Sequence, residues 1–223
     1  FSEVENYVGQ GASLEVSGQE SARITASGTV ASGASTFSGL QSLALEDGVT
    51  ELEAWNGVTL NGSGALTSGD ISVTGVGVVT ATGALTGTSG DDEFTVSGNG
   101  ALASLGMTFS DVSSVAGAGG TDAIVGTADS GWQLGAESGS LSHAAIAFSG
   151  IAEASGGNGV VDGADTDTQY ALASDGGLQA SGIDFADVTR VNAGAGADQV
   201  TSASGERWTL GSSTGSASAA GVT

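Results

Sequence analysis

Carboxylates dominate the side chains of this chain that could do chemistry. The 223 residues include 25 acidic residues, three arginines, one histidine, no lysine and no cysteine, and the formal net charge is −22. Two loops concentrate oxygen ligands, one with Asp162, Asp165 and Asp167 and the other with Asp91 and Asp92. Because calcium takes about six to eight oxygens, these five residues are candidate metal ligands. Neither loop has EF-hand spacing, so surface solvation of the charges is the competing interpretation.

A second calcium pattern is present as a single copy. Residues 193–201 resemble the nine-residue calcium repeat G-G-x-G-x-D-x-U-x, whose copies normally follow one another directly so that adjacent turns share the ion. Here only Asp122 and Asp198 occupy the aligned acidic position. The sequence therefore favours a local role for each Asp, as a hydrogen-bond acceptor within its own corner. No cofactor is expected apart from calcium.

Trp55 is the candidate residue for binding a ligand through an aromatic ring. Strict alternation in residues 51–55 places Trp55 on the same strand face as Glu51 and Glu53, opposite Leu52. An outward indole beside two carboxylates could stack on a sugar or contact a protein. A bulge at Gly57 could instead turn the ring inward.

Catalysis finds little support in the sequence. His143 is the single histidine, lies in a Ser/Ala-rich turn and is expected to be exposed. The three arginines, Arg23, Arg190 and Arg207, are scattered, whereas a polysaccharide lyase or glycosidase needs convergent acids and bases in a cleft. Their number also excludes a basic stripe for nucleic acid. We expect a protein that is not an enzyme and binds no nucleic acid.

The candidate residues are set in a repeated frame. The motif Phe-Ser-x-Val or a close relative opens at Phe1, Phe37, Phe109, Phe148 and Phe185, and a degenerate copy opens at Val73. The resulting repeats are 1–36, 37–72, 73–108, 109–147, 148–184 and 185–223. A fixed period of this size is typical of solenoids, and the regular end of the last repeat suggests a section of a longer array. The whole chain is expected to form one solenoid.

Alignment of the repeats shows columns of apolar residues separated by glycine corners. One pair of columns lies 21 to 23 residues after each head and has two apolar residues at i and i+2, which share a strand face. This pair places Trp132, Tyr170 and Trp208 in the core, and another column does the same for Tyr7. No segment has helical periodicity. The sequence predicts an all-β, right-handed parallel β-helix in which like residues stack. Two coils of roughly 18 residues per repeat would give a rod of roughly 58 Å.

The heads, the Gly-x-Gly corners such as Gly117–Gly119 and the Trp-x-Leu pair at Trp132 and Leu134 resemble those of filamentous-haemagglutinin-like adhesins, which use two-partner secretion. The acidic, cysteine-free composition is similar to that of biofilm-matrix adhesins of this kind. The resemblance implies a secreted, cell-surface shaft that binds exopolysaccharide or a neighbouring cell-surface adhesin.

The alternatives are a calcium-binding extender of a type I-secreted adhesin and, less favoured, a polysaccharide-active enzyme. No apolar run is long enough for membrane insertion. The expected state is a monomer, with end-to-end stacking of exposed coil ends as a further expectation.

Overall fold

The structure is a computed structural model that describes residues 6–16, 21–46, 51–54, 56–202, 209–210 and 217–218. These residues form β-strands and no helix. The strands are, in chain order, β1 (Asn6–Val16), β2 (Ala22–Ala26), β3 (Thr29–Ser32), β4 (Ser35–Leu45), β5 (Glu51–Ala54), β6 (Val58–Gly62), β7 (Ala65–Ser68), β8 (Ile71–Thr74), β9 (Val78–Thr86), β10 (Glu93–Gly98), β11 (Ala101–Ser104), β12 (Met107–Ala116), β13 (Ala123–Gly126), β14 (Trp132–Leu134), β15 (Leu141–His143), β16 (Ile146–Ser149), β17 (Glu153–Gly156), β18 (Val160–Asp162), β19 (Gln169–Leu172), β20 (Leu178–Ala180), β21 (Ile183–Phe185), β22 (Arg190–Asn192), β23 (Gln199–Ser202), β24 (Thr209–Leu210) and β25 (Ala217–Ser218).

Parallel stacking of these strands makes a β-solenoid of about six turns, so the predicted fold class is confirmed. Glu93 pairs with Ala123, and Ala123 pairs with Glu153, thirty residues apart each time. Across the described strands the spacing between parallel partners runs from 27 residues, as between Glu51 and Val78, to 33, as between Ser114 and Ala147. The predicted coil of roughly 18 residues is therefore wrong, because one turn uses about thirty residues.

The short coil fails because the chain reverses direction within each turn. β10, β11 and β12 form an antiparallel meander, and Gly100, with φ of 68°, closes the tight turn between the first two strands. The same three-strand meander recurs in the rest of the described solenoid, as β2–β3–β4, β6–β7–β8, β14–β15–β16 and β19–β20–β21. The middle strand of each meander is the element that sequence periodicity did not separate.

The pairings trace two continuous ladders. The first ladder runs, strand beside strand, through the start of β1, the start of β4, β3, β2, β5, the start of β9, the start of β12, β11, β10, β13, β17, β21, β20, β19 and β23. The second runs through the end of β1, the end of β4, β8, β7, β6, the end of β9, the end of β12, β16, β15, β14, β18 and β22. The four long strands bend at register shifts and connect the ladders.

The sequence repeat is longer than one turn of the solenoid because successive repeats begin on alternate ladders. The head residue Phe109 pairs with Val79 of the preceding repeat, six places after that repeat's head, and Phe148 pairs with Val115 in the same way. Like columns therefore do not stack, contrary to the prediction. Two repeats add five strands to a ladder, such as β11, β10, β13, β17 and β21 after β12, so one repeat advances the solenoid by about 12 Å.

The two ladders enclose one core. The ring of Trp132, on the second ladder, lies 6.1 Å from that of Phe185, on the first. The predicted inward aromatics are confirmed for Trp132 and Tyr170, which are 1% and 0% exposed. Trp208 and the side chain of Tyr7 lie outside the described part of the chain. The head column is buried from Val73 to Phe185, while Phe37 is half-buried.

Candidate functional site

Asp91 and Asp92 lie at a corner where two turns of the solenoid meet. The exposed Asp91 carboxylate accepts the backbone N–H of Thr121 at 2.7 Å, one turn later. In return, the backbone N–H of Asp92 donates to Oδ1 of Asp122 at 2.9 Å. The two turns are thus clasped by a reciprocal pair of carboxylate–amide hydrogen bonds.

The same clasp recurs at a second corner. Asp167 accepts the backbone N–H of Ala197 at 2.8 Å, and Asp198 accepts that of Thr168 at 3.0 Å. The predicted role of Asp122 and Asp198 within their own corners is therefore wrong, since both carboxylates accept an amide from the preceding turn. Sequence alignment found these two positions, but the partner thirty residues away depends on the ladder register.

Burial distinguishes the first corner from the second. Asp92 and Asp122 are 3% and 1% exposed. The Oδ2 atom of Asp92 accepts the N–H of Thr88 at 2.6 Å and its hydroxyl at 3.0 Å, while Oδ1 is buried without a hydrogen-bond partner. Burial raises the pKa of Asp122, the N–H of Asp92 lowers it, and the charges of Asp92 and Asp91 raise it further.

The three aspartates of the predicted metal loop at residues 162–167 do not converge on one point, because each has different surroundings. Asp162 lies in β18, and its Oδ1 accepts the side-chain amide of Asn192 from the next turn. Asp165 is exposed, and Asp167 belongs to the second corner. Within the described residues, no group of three or more His, Cys, Asp or Glu side chains is arranged to hold a metal ion. A depression of about 590 Å³ beside Asp162 and Asp165 also contains Gln133 and Asn192.

The predicted ligand-binding residues Glu51 and Glu53 lie on the outer face of β5, with Leu52 fully buried between them. Glu51 accepts the Thr80 hydroxyl at 3.2 Å. Glu53 forms an ion pair of 2.9 Å with Arg23 on the neighbouring strand, and both side chains are about half exposed. Trp55 lies outside the described residues.

Sequence reasoning missed an acidic groove on the outer face of the first ladder. Pairing aligns Glu93, Ala123, Glu153 and Asp184 across four neighbouring strands. These residues line an open groove of about 760 Å³, in which the Gln179 side-chain amide donates to Asp184 at 2.9 Å. Glu93 comes from one repeat, and Glu153 and Asp184 come from opposite ends of another, so the acids were not visible as one motif.

His143 is the largest correction to the sequence-based expectations. It is 2% exposed rather than exposed, and its ring stacks on Trp132 with 4.2 Å between centroids. Nε2 accepts the backbone N–H of Thr127 at 2.8 Å, and Nδ1 lies 2.9 Å from the Gly131 carbonyl. Burial lowers the pKa of His143, and the Gly131 contact offsets part of that effect. The ring is a structural element of the core.

No protein-family model, curated protein or solved structure matches this chain. Among the described residues, no helix has the length and apolar character needed to cross a membrane. The geometry of the solenoid and its outer faces is therefore the basis for a functional proposal.

Proposed function

We propose that this chain is a section of the shaft of a secreted bacterial surface adhesin, which attaches cells to exopolysaccharide or to one another. The carrying observation is the pair of continuous ladders that encloses a single core along the described solenoid. Each described repeat is fixed to the next by several strands, and two of the junctions also carry the corner clasps. Such a structure suits a stiff spacer better than a hinged binding domain.

The outer surface supports an extracellular, solvated role. Acidic residues predominate, and the basic side chain of Arg23 is already paired with Glu53. Strong like charge keeps long sheet proteins apart, so shafts at high density would not aggregate through their faces. His143, the side chain best suited to proton transfer, is buried beneath Trp132, which supports a structural role for it.

The acidic groove is the contact site that the described residues favour for a matrix glycan. Carboxylates and amides are planar acceptors and donors suited to sugar hydroxyl groups. Glu153 and Asp184 are exposed on adjacent strands, and Gln179 holds Asp184 in place. The groove is open and is lined by several neighbouring strands, which suits a polymer that contacts more than one strand.

Binding of purified matrix polysaccharide to the chain tests this proposal. The double variant Glu153→Gln/Asp184→Asn should weaken retention at least about fivefold, whereas Glu15→Gln/Glu137→Gln removes two exposed acids outside the groove and should not. A fluorescence titration of Trp55→Phe tests the second candidate contact, since loss of the response would place the sugar at Trp55. If neither variant changes retention, the glycan contact is elsewhere and this segment serves only as a spacer.

A further inference from the structure

His143 occupies a position that earlier repeats give to serine. It ends the middle strand of its meander and pairs with Ile146. The same place is taken by Ser68, which pairs with Ile71, and by Ser104, which pairs with Met107. Both serines are buried, as is His143. One repeat of the shaft therefore carries a titratable ring where the two earlier repeats carry a hydroxyl group and the next repeat carries Ala180, which pairs with Ile183.

The contacts of the ring define its protonation state. Thr127 donates its backbone N–H to Nε2, so Nε2 carries no proton. Nδ1 faces the Gly131 carbonyl at 2.9 Å and must donate to it. The folded protein thus selects the neutral tautomer with hydrogen on Nδ1.

The ring also fixes the loop that connects the two ladders. Thr127 and Gly131 bound the segment between β13, in the first ladder, and β14, in the second. A Cβ atom added to Gly126 would lie 2.8 Å from Nε2 of His143, so the backbone passes close against the ring. The elements packed on His143 contribute glycines, Thr127 and Trp132, and the acid of the loop, Asp129, is exposed. No described carboxylate is among the causes that shift the His143 pKa.

We propose that His143 is a pH-sensitive lock that ties the 127–131 loop to the core when neutral and releases it when protonated. A proton added at Nε2 would point at the Thr127 N–H, so two hydrogen-bond donors would face each other. The hydrogen bond from the Thr127 backbone N–H to Nε2 would then be lost. The Thr127 hydroxyl lies 3.4 Å from Nε2 and could accept the new proton. Acidification would thus loosen one defined crossover of the shaft and leave the rest of the ladders paired. The lock goes beyond the proposed shaft function and does not depend on it.

Nitrogen-15 NMR of the intact chain tests the lock, because the sequence contains one histidine. At pH 8 the ring should show the Nδ1–H tautomer. Its titration midpoint should lie below the ordinary value of about 6.5. Across that midpoint the protection factor of the Thr127 amide should fall at least about tenfold, whereas the Ala123 amide, bonded to the Asp92 carbonyl, should keep its protection.

Two variants separate the lock from simple packing. His143→Ser introduces the residue that the earlier repeats carry and should abolish the pH dependence of Thr127 protection. Thr127→Val removes the alternative acceptor and should lower the midpoint further. An Nε2–H tautomer at pH 8, a midpoint at or above about 6.5, or Thr127 protection that ignores pH would each overturn the lock. The tautomer and the midpoint are measured on the unaltered chain, so they decide even if a variant does not fold.

Discussion

Asp122 accepts the backbone N–H of Asp92 at 2.9 Å across one turn of the solenoid, and both residues are almost completely buried. This bond and its reciprocal partner from Thr121 to Asp91 connect turns at a corner where the strands have ended. The clasps replace strand pairing at the place where a ladder would otherwise fray. They account for acidic residues in corners that resemble calcium loops.

Removing the Asp122 acceptor should destabilise the solenoid. In Asp122→Ala the Asp92 N–H is left buried without a partner, which costs about 1–3 kcal/mol. Asp122→Asn retains an acceptor oxygen and should lose far less. Chemical denaturation followed by circular dichroism measures the difference, and equal losses in the two variants would mean that the carboxylate charge, not the hydrogen bond, is what matters.

The pKa of Asp122 predicts a gain in relative stability on acidification. Because burial raises this pKa above its ordinary value of 3.8, the folded state holds the proton more tightly than the unfolded state. The contribution is present below pH 3.8 and is lost as pH rises through the higher folded value. Compared with Asp122→Asn, the unaltered chain should therefore lose stability as pH rises from about 4 towards neutrality. A difference that is constant with pH would contradict this assignment.

Asp91, Asp167 and Asp198 each use Oδ1 to accept a backbone N–H, and no group of three or more described acids is arranged to hold a metal ion. Addition of millimolar calcium should therefore leave the melting temperature unchanged, with magnesium at equal ionic strength as the control. A calcium-specific rise of several degrees would instead support the extender of a type I-secreted adhesin and would assign the ion to the acidic loops.

The ladder exchange makes a prediction about deletions. Removing residues 109–147 takes out one sequence repeat and joins Thr108 to Phe148. Every remaining strand then keeps its place in the order of strands within a repeat, so the solenoid should fold. Removing residues 109–138 takes out thirty residues, the spacing between parallel partners, but joins Thr108 to Gly139 and breaks the meander. Cooperative melting should survive the first deletion only. Survival of the second alone would show that the turn, not the repeat, is the folding unit.

Much of the core could be predicted from local alternation. Trp132 and Leu134 share a strand face, and the column of Phe109 and Phe148 is buried, as expected. The pairing register could not be predicted, because it depends on the reversed middle strands such as β11, which the alignment of columns did not separate. With the middle strand β11 in place, the neighbours of Phe109 are Val79 on the parallel side and Leu102 on the antiparallel side, and not Val73.

For the candidate site, too, the sequence predicted the residues but not the partners that the pairing register gives them. The sequence located Asp91, Asp92 and Asp167, but whether a carboxylate meets a metal or an amide depends on a chain segment thirty residues away. His143 was misplaced because its Ser/Ala-rich surroundings suggested a turn. A signal was present, since Leu141 and His143 repeat the spacing of Leu102 and Ser104. The groove acids Glu153 and Asp184 come together only through parallel pairing.

The length of the rod tests the central claim most directly. Inserting a second copy of residues 109–184, two sequence repeats, should lengthen the particle by about 24 Å, because five strands are added to each ladder at about 4.8 Å each. Small-angle scattering or electron microscopy of the two lengths measures this increment. An increase of about 10 Å, one strand per repeat, would contradict the two-ladder solenoid with its antiparallel meanders.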